Sequence, residues 1–264
     1  MLTLKLILVP AFLLLLTLAG KRWGPSVAGW LAGLPVVAGP ILFFLSLEQG
    51  VLFAANAATA ALSAVLASVA FSVAYSRAAQ RWPWPQSLLL ALIAWSGSAL
   101  CLSALPACIT LSLVVAMFTL IAAPRLFPCT QFSVQARAVT IPELGCRVLA
   151  GAALTLAVTF VAGTVGSEWS GLLAVFPVLG IVLAVFSHRT QGPTFAASLL
   201  RGMATGLYSF VAFCFILSVG LPHFSIPIAF TGAVLVSLFV QVASKKYLVP
   251  ASSGVPPAPS SSKP

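Results

Sequence analysis

The chain contains an internal repeat, in which two halves of its sequence match without a gap at a spacing of 142 residues. Apolar helices draw on few residue types, so chance matches between them are common. Chance does not easily keep proline, Gln-Gly and Phe-Ala-Ala in one register. A duplication of hydrophobic helices is typical of secondary transporter folds. The aligned positions include Pro35 with Pro177, Gln49-Gly50 with Gln191-Gly192, and Phe53-Ala54-Ala55 with Phe195-Ala196-Ala197.

The low charge content of the chain decides the environment in which it folds. Apolar residues make up 61% of its 264 residues and charged residues only 6%, whereas a soluble domain is about one-quarter charged. A chain with so few charges cannot cover a water-exposed surface, so it must lie in lipid. The expected fold class is therefore an all-α polytopic membrane protein, with the lipid bilayer as a partner.

Glycine, proline and charged residues divide the apolar runs into nine candidate transmembrane helices. Each helix is long enough, at about 1.5 Å per residue, to cross ~30 Å of hydrocarbon. The run 87–123 is divided at Pro106, although the sequence leaves open whether it forms one span or two. The nine spans are 4–20, 26–46, 51–76, 86–104, 106–123, 144–163, 168–187, 193–219 and 225–244.

The distribution of basic residues predicts the orientation of these helices. Basic clusters, from Lys21-Arg22 to Lys245-Lys246, follow only odd-numbered helices, with Lys5 as the exception. Because Lys and Arg are retained on the cytoplasmic side, the N-terminus is expected outside and the C-terminus inside, in a bacterial inner (plasma) membrane. The net charge of +10 follows from the same bias and does not indicate binding to nucleic acid.

The repeat and this orientation together predict two inverted four-helix repeats joined by a linker helix. An odd number of helices separates equivalent positions, so the two repeats enter the membrane from opposite sides. The expected parts are a first repeat at 1–105, the linker helix with a cytoplasmic loop at 106–142, and the inverted repeat at 143–247. The segment 248–264, rich in Pro and Ser, is expected to be a disordered tail.

Prolines near the middle of two equivalent helices mark the first candidate site. Pro35 and Pro177 each remove a backbone donor, and the freed carbonyl groups need partners among neighbouring helices, water or a solute. Gly39 and Gly180 lie close to them in the sequence. Paired interrupted helices indicate a transport site at the repeat interface, whereas the alternative is a kink that serves packing alone. A transporter should have a polar-lined cavity there, and a scaffold should be packed shut.

Polar residues on the following helices are further candidates for solute binding. Gln49 and Gln191 open these helices, whose N-termini favour anions, although a simple turn with a helix cap is the favoured explanation of each Gln-Gly pair. Arg201 is the only arginine that lies well inside an apolar run, so it either coordinates an anion in a cytoplasmic vestibule or reaches the lipid phosphates. Its equivalent in the first repeat is Thr59, and Asn56 lies one turn earlier.

The acidic and histidine residues do not form the sets that enzymes need. Three acidic residues and two histidines are scattered over loops on both faces, and no HExxH, GxSxG or paired-aspartate motif occurs. The five cysteines lack a paired metal spacing and are interpreted as packing residues. The chain is therefore not expected to be an enzyme or to bind a metal or a cofactor.

A segment of the second repeat resembles a helix of the GlpM-type small bacterial membrane proteins. The segment reads SGLLAVFPVLGIVLAVF, from Ser170 to Phe186. In that family an Ala-Gly-Leu stretch precedes a Phe-Pro pair, as Ser-Gly-Leu precedes Phe176-Pro177 here. Because those proteins have the length of a single repeat, the resemblance implies that this chain is a fused and diverged duplicate of such a unit. It implies no substrate and no catalytic residue, and the first repeat differs by having Leu34-Pro35.

These features together predict a secondary transporter that moves a small anionic or polar solute by alternating access. The alternative is a non-transporting membrane scaffold or a partner subunit of another membrane protein. The identity of the solute, the coupling ion, the direction of transport and the formation of an oligomer stay open at the level of the sequence.

Overall fold

The computed structural model describes residues 2–104, 108–128, 141–164 and 176–248, and these residues form ten α-helices and no β-strand. The prediction of an all-α fold class is confirmed. In chain order the helices are α1 (Leu2–Trp23), α2 (Pro25–Ala32), α3 (Ala38–Glu48), α4 (Val51–Ala78), α5 (Trp84–Ser103), α6 (Ile109–Leu126), α7 (Ile141–Thr164), α8 (Val178–Gln191), α9 (Pro193–Gly220) and α10 (Ile226–Leu248).

Five of the described helices are long and apolar enough to cross a membrane, namely α4, α5, α6, α9 and the part of α10 that ends at Lys245. The other predicted spans overlap α1, the pair α2 and α3, α7, and α8. Large apolar side chains such as Phe118 and Phe239 are about three-quarters exposed on these helices. Because lipid can cover such side chains, the helices are compatible with an integral membrane location.

The long apolar run 87–123 forms two helices, α5 and α6, with residues 105–107 between them outside the described part of the chain. Three other predictions fall wholly or largely outside it as well. They are the disordered tail after residue 248, the cytoplasmic loop after helix α6, and the first half of the predicted span 168–187.

The bounds of several helices recur at the spacing found in the sequence. α4 and α9 each contain 28 residues and begin 142 positions apart, as do the first residues of α5 and α10. Gly50 precedes α4 and Gly192 precedes α9, and the φ angle of both is 92°. A side chain is strained at such an angle, so glycine at these two positions allows the chain to turn into the long helices.

The core of the described structure is built around the two longest helices. α4 and α9 pack against each other, and each also packs against the helix that follows it, α5 or α10. α1 packs against α7, and α6 packs against both α4 and α9. The largest fully buried side chains are mostly on the two long helices, with Phe71 and Tyr75 on α4 and Phe213 on α9.

Glycines bring the short helix α2 into close contact with α9. Gly33, which directly follows α2, lies one turn after Gly29 of that helix, and Gly202 and Gly206 lie one turn apart on α9. A Cβ atom added to Gly206 would lie 2.9 Å from the Cα atom of Gly33, so only glycine allows this backbone approach. Small residues at this spacing are typical of closely packed helices in membranes.

Candidate functional site

The predicted interruption at Pro35 is a break between two helices. Residues 33–37 form turns between α2 and α3. The backbone carbonyl group of Trp30, in the last turn of α2, accepts hydrogen bonds from the amide of Gly33 (3.2 Å) and from Nε2 of Gln241 in α10 (2.8 Å). A neighbouring helix therefore supplies a second and shorter hydrogen bond to a carbonyl group close to the break.

A cavity of about 460 Å³ lies against this break, and its lining is almost wholly apolar. Pro35 and Gly39 line it, and Ser237 contributes the only polar side chain among the described residues of its wall. The described residues beside Pro35 therefore do not provide the polar lining that a transport site is expected to have there. The other lining residues are Leu34, Val36, Pro40, Phe43, Phe44, Phe213, Phe230, Val234 and Leu238.

Pro177 stands directly before α8 and starts that helix. The amide of Ile181 donates a hydrogen bond to the carbonyl group of Pro177 at 2.9 Å. Gly180 is buried in the first turn, where an added Cβ atom would lie 3.4 Å from the ring of Phe71 in α4. Gly180 therefore contributes to packing. Residues 165–175 lie outside the described part of the chain, and with them the helix interruption that was predicted before Pro177.

A second large cavity, of about 420 Å³, lies between α6, α9 and α10 and has a polar side. Arg201, Thr205 and Tyr208 line it from α9, at a spacing that places them on one face of the helix, and Ser244 lines it from α10. The Arg201 side chain is exposed. The backbone carbonyl group of Arg201 accepts a hydrogen bond from the Thr205 hydroxyl group at 3.2 Å. The apolar wall consists of Leu120, Ala123, Pro124, Phe127, Ala204, Val240 and Ala243.

Buried hydrogen bonds connect the wall of this cavity to the break in α2. The hydroxyl group of Ser244 accepts a hydrogen bond from Nε1 of Trp30 (2.9 Å) and donates one to the carbonyl group of Gln241 (2.8 Å). Gln241 in turn donates to the carbonyl group of Trp30, three residues before the break begins. A movement of α2 at the break would therefore disturb the wall of the Arg201 cavity.

The other predicted site residues lie elsewhere in the molecule. Thr59 is buried and forms a 2.6 Å hydrogen bond with Ser218, which joins α4 to α9. Asn56 and Gln49 are exposed, one in the second turn of α4 and one just before that helix. Gln191 lines a small separate cavity. The structure therefore does not bring the predicted residues to one site, and among them Arg201 lies in the large cavity that has a polar side.

Arg147 is a buried arginine that the sequence interpretation did not consider as a site residue. It lies in α7, is 3% exposed, and donates from Nη2 to Glu143 Oε1 (2.8 Å) and Thr190 Oγ1 (3.2 Å). The signal was present, because Arg147 aligns with Lys5 in the repeat. The predicted span 144–163 contains Arg147 close to its start, and α7 begins three residues earlier, at Ile141. Sequence reasoning also missed Thr205, Tyr208 and Ser244, although Thr205 and Tyr208 follow Arg201 at helical spacing.

Comparisons with protein-family models, with curated proteins and with solved structures find no match for this chain. The resemblance of Ser170–Phe186 to the GlpM-type proteins stays a prediction.

Proposed function

We propose that the chain is a secondary membrane transporter that carries a small organic anion, and that the Arg201 cavity is its binding site on the cytoplasmic side. The observation that carries this proposal is a cavity of about 420 Å³ that combines one cation, three hydroxyl groups and an apolar wall. Small-molecule sites usually have a mostly apolar lining with a few polar groups that orient the ligand, and volumes of about 300–1,000 Å³.

The chemistry of the lining indicates the class of solute. The guanidinium group of Arg201 can donate hydrogen bonds to a carboxylate or a similar anionic group, and the Thr205 hydroxyl group can do so if it turns its hydrogen away from the Arg201 carbonyl group. The aliphatic side chains of α6 can contact an apolar body of the same solute. A small organic acid meets both requirements, whereas a cation would be repelled by Arg201.

The repeated helix bounds support a transport mechanism. We propose that 1–105 and 143–247 are inverted repeats, with nine spans in which α2 and α3 count as one broken helix. The contacts between α4 and α9 and between α1 and α7 each join elements that are equivalent under the 142-residue spacing, which is expected of two halves related by a two-fold axis. Two such halves can exchange inward-open and outward-open arrangements.

The break at Pro35 is the hinge in this proposal. Trp30, Gln241 and Ser244 link the last turn of α2 to the cavity wall, so a change in the angle between α2 and α3 would alter the site. Hinges at which two packed elements move against each other are common in proteins that open and close around ligands. The apolar cavity of about 460 Å³ that Pro35 and Gly39 line provides space for α2 and α3 to change their angle.

Arg201 variants test the proposal. A thermal-shift screen of the purified protein against mono- and dicarboxylates identifies a solute, because a ligand that binds the native state raises its melting temperature. We expect Arg201→Gln to bind that solute at least about tenfold more weakly and to lose its flux in proteoliposomes, since a charge-assisted hydrogen bond contributes roughly 1.5–3 kcal/mol. Arg201→Lys should keep partial flux, because the charge is kept and the planar fork is lost.

Arg189→Gln is the matched control for loss of a positive charge. Arg189 is exposed at the end of α8, where its guanidinium group lies 5.6 Å from the ring centre of Trp84 and away from the residues of the cavity. This variant should keep wild-type flux. Wild-type flux in Arg201→Gln would contradict the proposal, because it would mean that Arg201 only contacts lipid phosphates.

The alternative is a non-transporting membrane scaffold or partner subunit. The observation that favours it is the apolar cavity at Pro35, together with the close glycine contact between α2 and α9, which leaves little freedom for α2 to move. A scaffold would bind none of the carboxylates in the screen and would show no flux in proteoliposomes.

A further inference from the structure

A small cavity lies where α1, α7, α8 and the beginning of α9 meet, apart from the Arg201 cavity. Its volume is about 20 Å³, which is room for a single occupant of the size of a water molecule. Its polar lining is provided by Thr17 and Lys21 of α1, Arg147 of α7, and Ser187 and Gln191 of α8. The apolar residues of the lining are Leu16, Ala28, Leu183, Phe195 and Leu199.

Two buried donors in this lining lack hydrogen-bond partners among the described residues, namely Nε of Arg147 and Oγ of Ser187. Ser187 is fully buried, and the side chain of Arg147 is 4% exposed. Buried polar groups are nearly always paired, so two such atoms in residues that line one small cavity indicate that something occupies it.

The charges around the cavity favour a negative occupant. Glu143 neutralises Arg147 from the Nη2 side, and Lys21, whose side chain is exposed, brings a further positive charge to the lining. The free groups are an N–H, which can only donate, and a hydroxyl group that can turn its hydrogen inward. α9 begins at Pro193 beside this cavity, and the positive end of its helix dipole adds to the same preference.

We propose that this cavity binds one monatomic anion of the halide class, such as chloride, held by Arg147 Nε and Ser187 Oγ. A water molecule would also fit the volume, but the two free donors, the charge of Lys21 and the helix dipole of α9 together favour an anion. A phosphate or carboxylate group requires more room than a single water-sized space provides. The site is separate from the Arg201 cavity and does not rest on the proposed transport function, since binding can be measured without flux.

Melting curves in matched salts test this site. The purified full-length protein is titrated with sodium chloride in place of sodium gluconate at constant ionic strength, because gluconate is too large for the cavity. Wild-type protein should melt roughly 2–4 °C higher in saturating chloride. Ser187→Ala should lose most of this shift, since it removes one donor from the anion while breaking no hydrogen bond of the described structure. Arg147→Lys should lower the affinity for chloride as well, because the ammonium group cannot reproduce the Nε–H donor.

Ser237→Ala is the matched control, because Ser237 is another buried serine without a partner among the described residues and lies in the apolar cavity instead. It should keep the wild-type chloride shift. Two results would overturn the proposal. One is a wild-type melting temperature that is equal in chloride and gluconate, which would leave the cavity to water. The other is an equal rise of the melting temperature in chloride for Ser187→Ala and Ser237→Ala. That result would mean that chloride acts on the protein surface as a general salt and does not bind in the cavity.

Discussion

At the scale of single residues, most described hydroxyl groups are satisfied within their own helix. Thr17, Ser76 and Thr119 each donate to the carbonyl group four residues earlier, at 2.6–2.8 Å. In lipid such a bond removes the need for water, so a serine or threonine in an apolar run does not by itself indicate a site. Thr59 illustrates this point, because its hydroxyl group bonds to Ala55 and Ser218 and is not open to a solute.

Cys108 offers a prediction at this scale. It is exposed just before α6, and hydrogen bonds from the Thr110 side chain and from the backbone of Leu111 and Thr110 hold the pKa of its thiol below its usual range. A lowered pKa leaves more reactive thiolate at neutral pH, and that fraction falls as the pH drops through the pKa. In a chain that keeps only this cysteine, Thr110→Val should raise the pKa and slow maleimide labelling at neutral pH, and alkaline pH should restore the rate. An unchanged rate at neutral pH would mean that the Thr110 hydroxyl group does not stabilise the thiolate.

At the scale of helices, glycine determines how closely two elements approach. The α2 and α9 backbones meet at Gly33 and Gly206, whereas Gly97 of α5 has no atom within 4 Å of an added Cβ. Both Gly97 and Gly206 lie inside helices, so their helix propensities are alike and only their surroundings differ.

This difference leads to a paired prediction. Gly206→Ala should lower the free energy of unfolding by about 1–3 kcal/mol, because the methyl group meets backbone atoms that cannot turn away. Gly97→Ala should be neutral or should stabilise the protein by up to about 1 kcal/mol, since alanine is the better helix former. Melting temperatures of the two purified variants check both outcomes. Equal melting temperatures would show that α2 and α9 are not held in the close contact described above.

At the scale of the whole molecule, the arrangement in the membrane follows from the helix bounds and the basic residues. α9 and α10 are joined by a short loop that contains His223, and the basic pair at Lys245-Lys246 lies near the end of α10. If α10 crosses the bilayer, these two ends lie on opposite sides, and the prediction from the basic residues is that the basic end lies in the cytoplasm.

Cysteine labelling of intact cells tests this arrangement in a background free of native cysteines. His223→Cys should react with a membrane-impermeant maleimide from outside, and Lys245→Cys should react only after the cells are permeabilised. Both positions are exposed in the structure, so access depends on the side of the membrane. Arg81→Cys, in the loop before α5, is a second position that should be reached only from the cytoplasm. Reaction of His223→Cys and Lys245→Cys from one side would rule out the inverted arrangement of the repeats.

The fold class and many helix bounds could be predicted from the sequence alone, because their causes are local. The near absence of charge requires lipid-compatible helices, and glycine or proline stands at several of the helix ends, such as Gly50 before α4 and Gly192 before α9. The spans predicted at 51–76 and 193–219 correspond to α4 at Val51–Ala78 and α9 at Pro193–Gly220. The break at Pro35 was predicted for the same reason, since proline lacks the backbone donor that a continuous helix needs.

Only the tertiary structure decided which side chains share a cavity, because that depends on which helices become neighbours and on how each is rotated. Trp30 and Gln241 meet across 211 positions of the chain, and no periodicity within either helix indicates their contact. The same holds for the predicted site residues. Pro35, Gln191 and Arg201 were all predicted to bind the solute, yet they line three different cavities. The burial of Arg147 likewise depends on α1 and α8 packing around α7, which the sequence of α7 does not contain.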